Sequence, residues 1–368
     1  MLLFTPGPTP VPESVRQAMA TVTLHHRTPE FEAIFKEARE KLLKLFNMDD
    51  VVMLASSGTG AMEAAVSNLT KQKILTVNAG KFGERFGKIA KALDIACVEL
   101  TYDWSTPADL ADIEAMLKEH SDIDALAIQV SESAGGLRHP VEAIAKRVKE
   151  INPKISIIAD GITAVGVEPI DVTDIDALIA GSQKALMLPP GLAMIGLSSQ
   201  AVEKIGAGEG YYLNLASEIK KQRENTTAYT APTTLIIGLN AILDLINDQG
   251  LENLYDETAR RGAATMKALE AIGLKVYPMS PAKSMTTIID ENASEIRNLL
   301  KSDFGVNVAG GQDHLKGKIF RINHMGLIPV YEAAWVVNAV ELALDKMGVR
   351  SYDATATTLF NQTFYGLN

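Results

Sequence analysis

The sequence predicts an α/β fold. The expected architecture is a large unit built on a mostly parallel sheet of about seven strands, followed by a smaller α+β unit. Three observations predict it. Short apolar runs alternate with segments of helical period between residues 51 and 197. The pattern then changes character after residue 251, where three helical segments surround short strands. Finally, 47% apolar content over 368 residues, with a mean hydropathy of +0.07, describes a chain long enough to bury two cores.

Taken in order, prolines at positions 6, 8, 10 and 12 fix φ and remove donors, so residues 1–15 read as an extended arm whose end passes into a helix. Phe31, Ile34, Phe35, Ala38, Leu42, Leu43 and Phe46 recur at three- and four-residue spacing, which predicts an amphipathic helix. Strands are expected at 51–54, 73–77, 96–100, 125–130, 155–159, 177–180 and 192–197. Helices between them are expected at 61–69, 82–92, 107–118 and 141–150. Leu235, Leu239, Ile242, Leu245 and Ile246 mark a long apolar helix closing the large unit, which is placed at 16–252. In the smaller unit, 253–368, helices are expected at 257–272, 293–302 and 331–347, with strands at 274–277, 285–289 and 319–323. The tail from Ser351 to Asn368 reads equally as a docked or a frayed segment.

Acidic residues outnumber basic ones 45 to 35, and no long Lys/Arg run is present, which points away from nucleic acid and anionic membranes and toward a small-molecule partner. Cys97 is the single cysteine, so an intrachain disulfide and a cysteine metal cluster are both excluded. It falls in the apolar run 95–100, which reads as a buried strand. His25, His26 and His324 lack ligand spacing and read as loop or hydrogen-bonding residues, so no metal is expected. Without a basic leader or a membrane-length apolar run, a cytoplasmic location is the expectation.

Four motifs carry chemistry. Ser56-Ser57-Gly58-Thr59-Gly60 joins a strand to a helix start, where free peptide N–H groups and the helix dipole favour a phosphate. A plain N-cap and tight turn is the alternative. Asp160 ends an apolar strand at the edge where open α/β sheets place ligands. Lys184 follows a second such run in Gly181-Ser182-Gln183-Lys184, among apolar residues that desolvate an amine and lower its pKa. A lysine able to form an imine, near a carboxylate able to keep a pyridine nitrogen protonated, suits pyridoxal phosphate. Arg321 alternates with Phe320 and Ile322 in a strand, where its fork suits either a substrate carboxylate or a salt bridge.

With these residues in place, the chain resembles the class V aminotransferases of fold-type I, in the alanine–glyoxylate and serine–pyruvate branch. The resemblance runs through Thr5-Pro6-Gly7-Pro8-Thr9, His26 to Phe31, Ser57 to Thr59, Ser131-Glu132-Ser133, Asp160-Gly161-Ile162, Gln183-Lys184, Pro189-Pro190-Gly191, Thr230-Ala231-Pro232 and Phe320-Arg321-Ile322. It implies pyridoxal phosphate bound to Lys184, which afterwards shuttles the proton between the substrate Cα and the cofactor. Asp160 is then the partner of the ring nitrogen, and Ser57, Gly58, Thr59 and Gln183 hold the phosphate. Ile162 and Phe82 take the two ring faces, Ser133 contacts the ring hydroxyl region or substrate, and Arg321 and Gly7, in the loop 5–9, recognise the amino acid core. The resemblance also implies a homodimer in which Thr227 and Thr230 reach the neighbouring subunit's phosphate; some relatives have tyrosine at the place of Thr227. The expected activity is a ping-pong transfer from serine, alanine or aspartate to glyoxylate or pyruvate. Three alternatives were weighed: a phosphonate transaminase using His25, His26 and Arg27, a cysteine desulfurase using Cys97, and a non-catalytic scaffold.

Overall fold

Two sheets organise the chain, which the computed structural model describes over residues 1–367. In chain order the strands are β1 (Leu2–Phe4), β2 (Asp50–Leu54), β3 (Lys73–Asn78), β4 (Ala96–Thr101), β5 (Ile123–Gln129), β6 (Ser131–Glu132), β7 (Leu137–Arg138), β8 (Ser156–Asp160), β9 (Ala177–Gly181), β10 (Ala193–Leu197), β11 (Lys275–Val276), β12 (Met285–Ile289), β13 (Val306–Gly310) and β14 (Ile319–Asn323). The large sheet has the order β2-β10-β9-β8-β5-β3-β4, all seven strands of which the apolar runs predicted. It is mostly parallel; only β10 runs antiparallel to both its neighbours.

The central strands β5, β8 and β9 are buried on both faces, which is why they read as continuous apolar runs. Helix Gly58–Leu69 covers one face with Ala61, Met62, Ala65 and Leu69. Helices Pro29–Phe46, Val141–Ile151 and Thr233–Gln249 supply the other face. At the β2 edge the Gln222 carboxamide takes the place of a missing strand, with bonds of 2.8 Å to both the N–H and the carbonyl of Met53. β4, at the other edge, is half open to solvent, and Cys97 is exposed there. The expectation of a buried Cys97 is therefore corrected: an apolar run looks the same in a central and an edge strand, and sequence does not say which neighbour is missing.

The second sheet, β1-β13-β14-β12-β11, draws its first strand from the N-terminus, where Leu2, Leu3 and Phe4 pair in parallel with Val306, Asn307 and Val308. Its core is closed by helices Leu251–Ala271, Ala293–Ser302 and Val330–Lys346. The tail is docked: helix Thr355–Tyr365 buries Phe360 and Phe364, and Arg260 lies 4.9 Å from the Phe364 ring centre. Asn368 lies outside the described residues. Among the described residues no helix is long and apolar enough to cross a membrane, and no group of His, Cys, Asp or Glu has the geometry of a metal site.

Candidate active site

The carboxyl ends of β5, β8 and β9 bring the predicted residues together. Asp160 is the last residue of β8, and Lys184 follows β9 by three residues. β5 runs through Gln129 into the small hairpin β6–β7, which carries Glu132 and Ser133. From the second sheet, β14 points Arg321 at this same place, where its guanidinium donates to the carbonyls of Ser133 and, at 2.7 Å, of Gly310. The salt bridge that the sequence left open for Arg321 is not formed; its partners are peptide carbonyls, so its charge is left for an anion.

Lys184 is enclosed by the N-terminal arm. Its Nζ donates to the Pro6 carbonyl, and the Thr9 hydroxyl donates to the Lys184 carbonyl at 2.6 Å. Burial lowers its pKa to about 8, with nearby Asp160 pulling it up and Arg321 pushing it further down. Asp160 is 4% exposed, and burial raises its carboxyl to about 6, against the opposing pull of Lys184 and Arg85. One of its oxygens accepts the Ile162 N–H at 2.9 Å, which fixes the side chain on its own turn.

Ser57 precedes helix Gly58–Leu69 in extended conformation, and its hydroxyl makes no capping bond to that helix. The N-cap alternative is thus not what the side chain does. Gly58 has a steric reason: Ile162 Cδ1 stands where its Cβ would be. Thr59 accepts from Arg85 Nη1 at 2.8 Å, and the Arg85 guanidinium lies 4.6 Å from the Phe82 ring centre. The Gln183 side-chain oxygen is buried without a partner. Thr227 and Thr230 are not part of this cluster: the Thr227 hydroxyl bonds the Tyr229 carbonyl, and Thr230 is exposed. His25 and His26 bond only to Arg27 and Thr28 in an exposed loop, and Cys97 sits on the far edge strand.

Two residues of the cluster escaped the sequence reading, Glu132 and Arg85. Glu132 is fully buried and accepts N–H bonds from Phe82, Gly83 and Ala134. Its signal was a carboxylate inside an otherwise small, uncharged turn, 131–135. Arg85, one turn into a helix, looks like any solvated helical arginine until the fold sets it against Thr59.

Residues 1–324 match the family Aminotransferase class-V. The chain belongs to the class V aminotransferases. An uncharacterized aminotransferase of Helicobacter pylori is 52% identical over 100% of both chains. The serine–glyoxylate aminotransferase of Methylorubrum extorquens is 29% identical, covering 95% of this chain and 92% of its own. Among solved structures, an aspartate aminotransferase of subgroup IV from Thermus thermophilus is 32% identical with a TM-score of 0.88, covering 94% of this chain and 99% of its own. The protein is a pyridoxal-phosphate-dependent transaminase.

The residues present in this class V aminotransferase fit that cofactor. The uncapped start of helix Gly58–Leu69, the free Ser57 hydroxyl and the orphaned Gln183 oxygen beside it form a polar cradle that only glycine at position 58 allows Ile162 to approach. A desolvated lysine amine and a buried carboxylate complete it.

Proposed function

We propose that this aminotransferase moves an amino group from a small amino acid, serine, alanine or aspartate, to glyoxylate or pyruvate by a ping-pong mechanism. The observation that carries the reading is the convergence of Lys184 after β9, Asp160 at the end of β8 and Arg321 of β14, which bonds the Ser133 carbonyl, with both charged groups acting on the lysine amine. The lysine is where the substrate nitrogen and α-proton must be handled. Arg321 is the cation for the α-carboxylate, and Asp160 is the anion for the cofactor's ring nitrogen.

When bound, the cofactor supplies an aldehyde carbon and a ring that withdraws electrons from the substrate Cα. The Lys184 amine would hold that carbon and, once a donor amine had replaced it there, would carry the α-proton on Nζ from the donor Cα to that same carbon. Asp160 stays ionised beside the ring nitrogen and keeps it protonated. Arg321 orients the donor so that its Cα–H faces Nζ. Ser57, Gly58, Thr59 and Gln183 take the phosphate, Ile162 and Phe82 the ring faces, Ser133 the substrate side, and Gly7 the space beside the amine. A second copy supplies Thr227 and Thr230, an assignment that rests on the family resemblance; in their own chain the Thr227 hydroxyl bonds the Tyr229 carbonyl and Thr230 is exposed. Of the donors and acceptors proposed, serine, aspartate and glyoxylate are those that the names of the serine–glyoxylate and aspartate relatives carry.

The absorbance spectrum of the purified protein tests this, recorded before and after serine, alanine, aspartate or 2-aminoethylphosphonate is added singly, beside Lys184→Ala. A visible band that one of the three amino acids shifts to shorter wavelength, and that the variant lacks, is the expected result. A shift with the phosphonate alone overturns the proposed donor class.

A further inference from the structure

Glu132 is a carboxylate with no exposed surface. A buried carboxylate is costly unless its oxygens are fully engaged, and here they are engaged by peptide groups of one turn and one hairpin. One oxygen accepts the Phe82 N–H at 3.0 Å and the Gly83 N–H at 2.8 Å; the other accepts the Ala134 N–H at 2.9 Å. The turn is shaped to lie on it. A Cβ on Gly80 would overlap the Glu132 carboxyl, and one on Gly83 would stand 2.6 Å from the Val77 carbonyl. No side chain other than glycine lets the backbone come this near.

The turn carries Phe82, which lies against the Arg85 guanidinium that in turn donates to Thr59. Two charged groups act on or answer to Glu132. Asp160 of β8 makes its ionisation harder, and Glu132 in turn makes the buried Arg321 of β14 easier to keep charged. Glu132 therefore stands behind the turn, within electrostatic reach of both the Asp160 carboxylate and the Arg321 guanidinium. It touches neither directly.

We propose that Glu132 is a positioning residue for transamination: its carboxylate fixes the Phe82 and Gly83 peptides, and through them the pose of the Phe82 ring against the cofactor, while its charge faces Arg321. The inference rests on the roles given above to Phe82 and Arg321. Glu132→Gln keeps the shape but offers one oxygen where three N–H groups converge on two, and it removes the charge. The turn then loosens, and Arg321 loses a neighbouring anion that competes electrostatically with the donor carboxylate.

The test is a double-mutant cycle on holoenzyme with Glu132→Gln, Phe82→Leu and the pair. It is read by the visible circular dichroism of the bound cofactor and by the single-turnover rate with the donor that converts wild type. Each single variant is expected to weaken the dichroic band and to slow the half-reaction about 10- to 100-fold. The pair is expected to be no worse than the worse single, and donor half-saturation in Glu132→Gln to be unchanged or lower. Gly80→Ala, which displaces the carboxyl without touching it chemically, is expected to reproduce the effect and carries the same cycle should Glu132→Gln not fold. Additive losses in the pair, a Glu132→Gln protein indistinguishable from wild type, or a half-saturation that rises in step with the loss of rate would each overturn the inference. If none of the donors converts wild type, the substrate reading falls and the dichroism cycle still decides this one.

Discussion

Gly7 lies directly against Lys184: a Cβ at residue 7 would stand 2.5 Å from Nζ, and the glycine holds φ at +99°. The arm is thus fitted to the amine to which the proposed chemistry is assigned. Gly7→Ala is expected to cost about 1 kcal/mol or more of stability from the backbone alone. It should also slow the half-reaction at least about tenfold, because the lysine must give way. Stopped-flow absorbance on the holoenzyme checks the rate, and urea unfolding checks the stability.

The buried carboxyls and the lysine make opposite demands on pH in the cofactor-free protein. Folding raises Asp160 to about 6 and Glu132 to about 7, so the folded state holds protons that the unfolded chain has released, and the contribution of these two groups to stability falls as pH rises from about 4 through 7. Folding lowers Lys184 to about 8, so between about 8 and 10 the unfolded chain binds the extra proton and this contribution to stability rises with pH. Buried His139 and His324, lowered to about 4 and about 3, slope the other way below about 6.5, so urea unfolding is read as the difference between wild type and single variants across that range. Asp160→Asn should flatten the first and Lys184→Met the second; unchanged slopes would contradict the assignment.

Arg321 holds two carbonyls with its fork and keeps its charge for a ligand. Lysine cannot reproduce that planar fork. In Arg321→Lys the donor concentration at half-saturation is expected to rise about 10- to 100-fold, while the spectrum of the bound cofactor before donor is added stays that of wild type. A spectral change without a change in half-saturation would assign Arg321 to the cofactor rather than to the substrate.

Arg85 donates to Thr59 and lies on Phe82, and no carboxylate pairs with it among the described residues. Placed at the mouth of the phosphate cradle, such a cation should favour a dianion. Arg85→Met keeps the stem over the ring and removes the charge, and it is expected to weaken cofactor binding about tenfold, measured by equilibrium dialysis. It should also raise the Asp160 carboxyl further, since Arg85, with the Ile162 N–H and Lys184, is one of the three groups that pull it down.

The large sheet was legible because central parallel strands leave an unmistakable apolar run, and β2, β3, β5, β8, β9 and β10 all lie within two residues of where those runs place them. β1 and β13 were not. Leu2–Phe4 is too short to carry a period, and Val306–Gly310 mixes Asn and Gly into its alternation, so β1 is a strand only because β13 is beside it, and β13 because it lies between β1 and β14. The cluster shows the same division. Asp160 and Lys184 stand at strand ends and announce themselves, whereas Glu132 and Arg85 act through contacts between segments 26 to 50 residues apart, which no local pattern records. The exposure of Cys97 belongs with these: strand order, not strand composition, leaves it at an edge.

The pairing of Leu2–Phe4 with Val306–Val308 also sets an order of events during synthesis. The arm leaves the ribosome first, yet the strand it joins and the Gln183 carbonyl that accepts the Thr9 N–H at 3.1 Å emerge much later. A nascent chain that has completed only the large sheet therefore has Pro6 and Gly7, which contact Lys184, on an arm whose first strand is still unpaired. The Thr9 bonds to Gln183 and Lys184 can form once the large sheet is made, but the β1 pairing that anchors the start of the arm waits for residue 308, so a truncated product lacks that anchor.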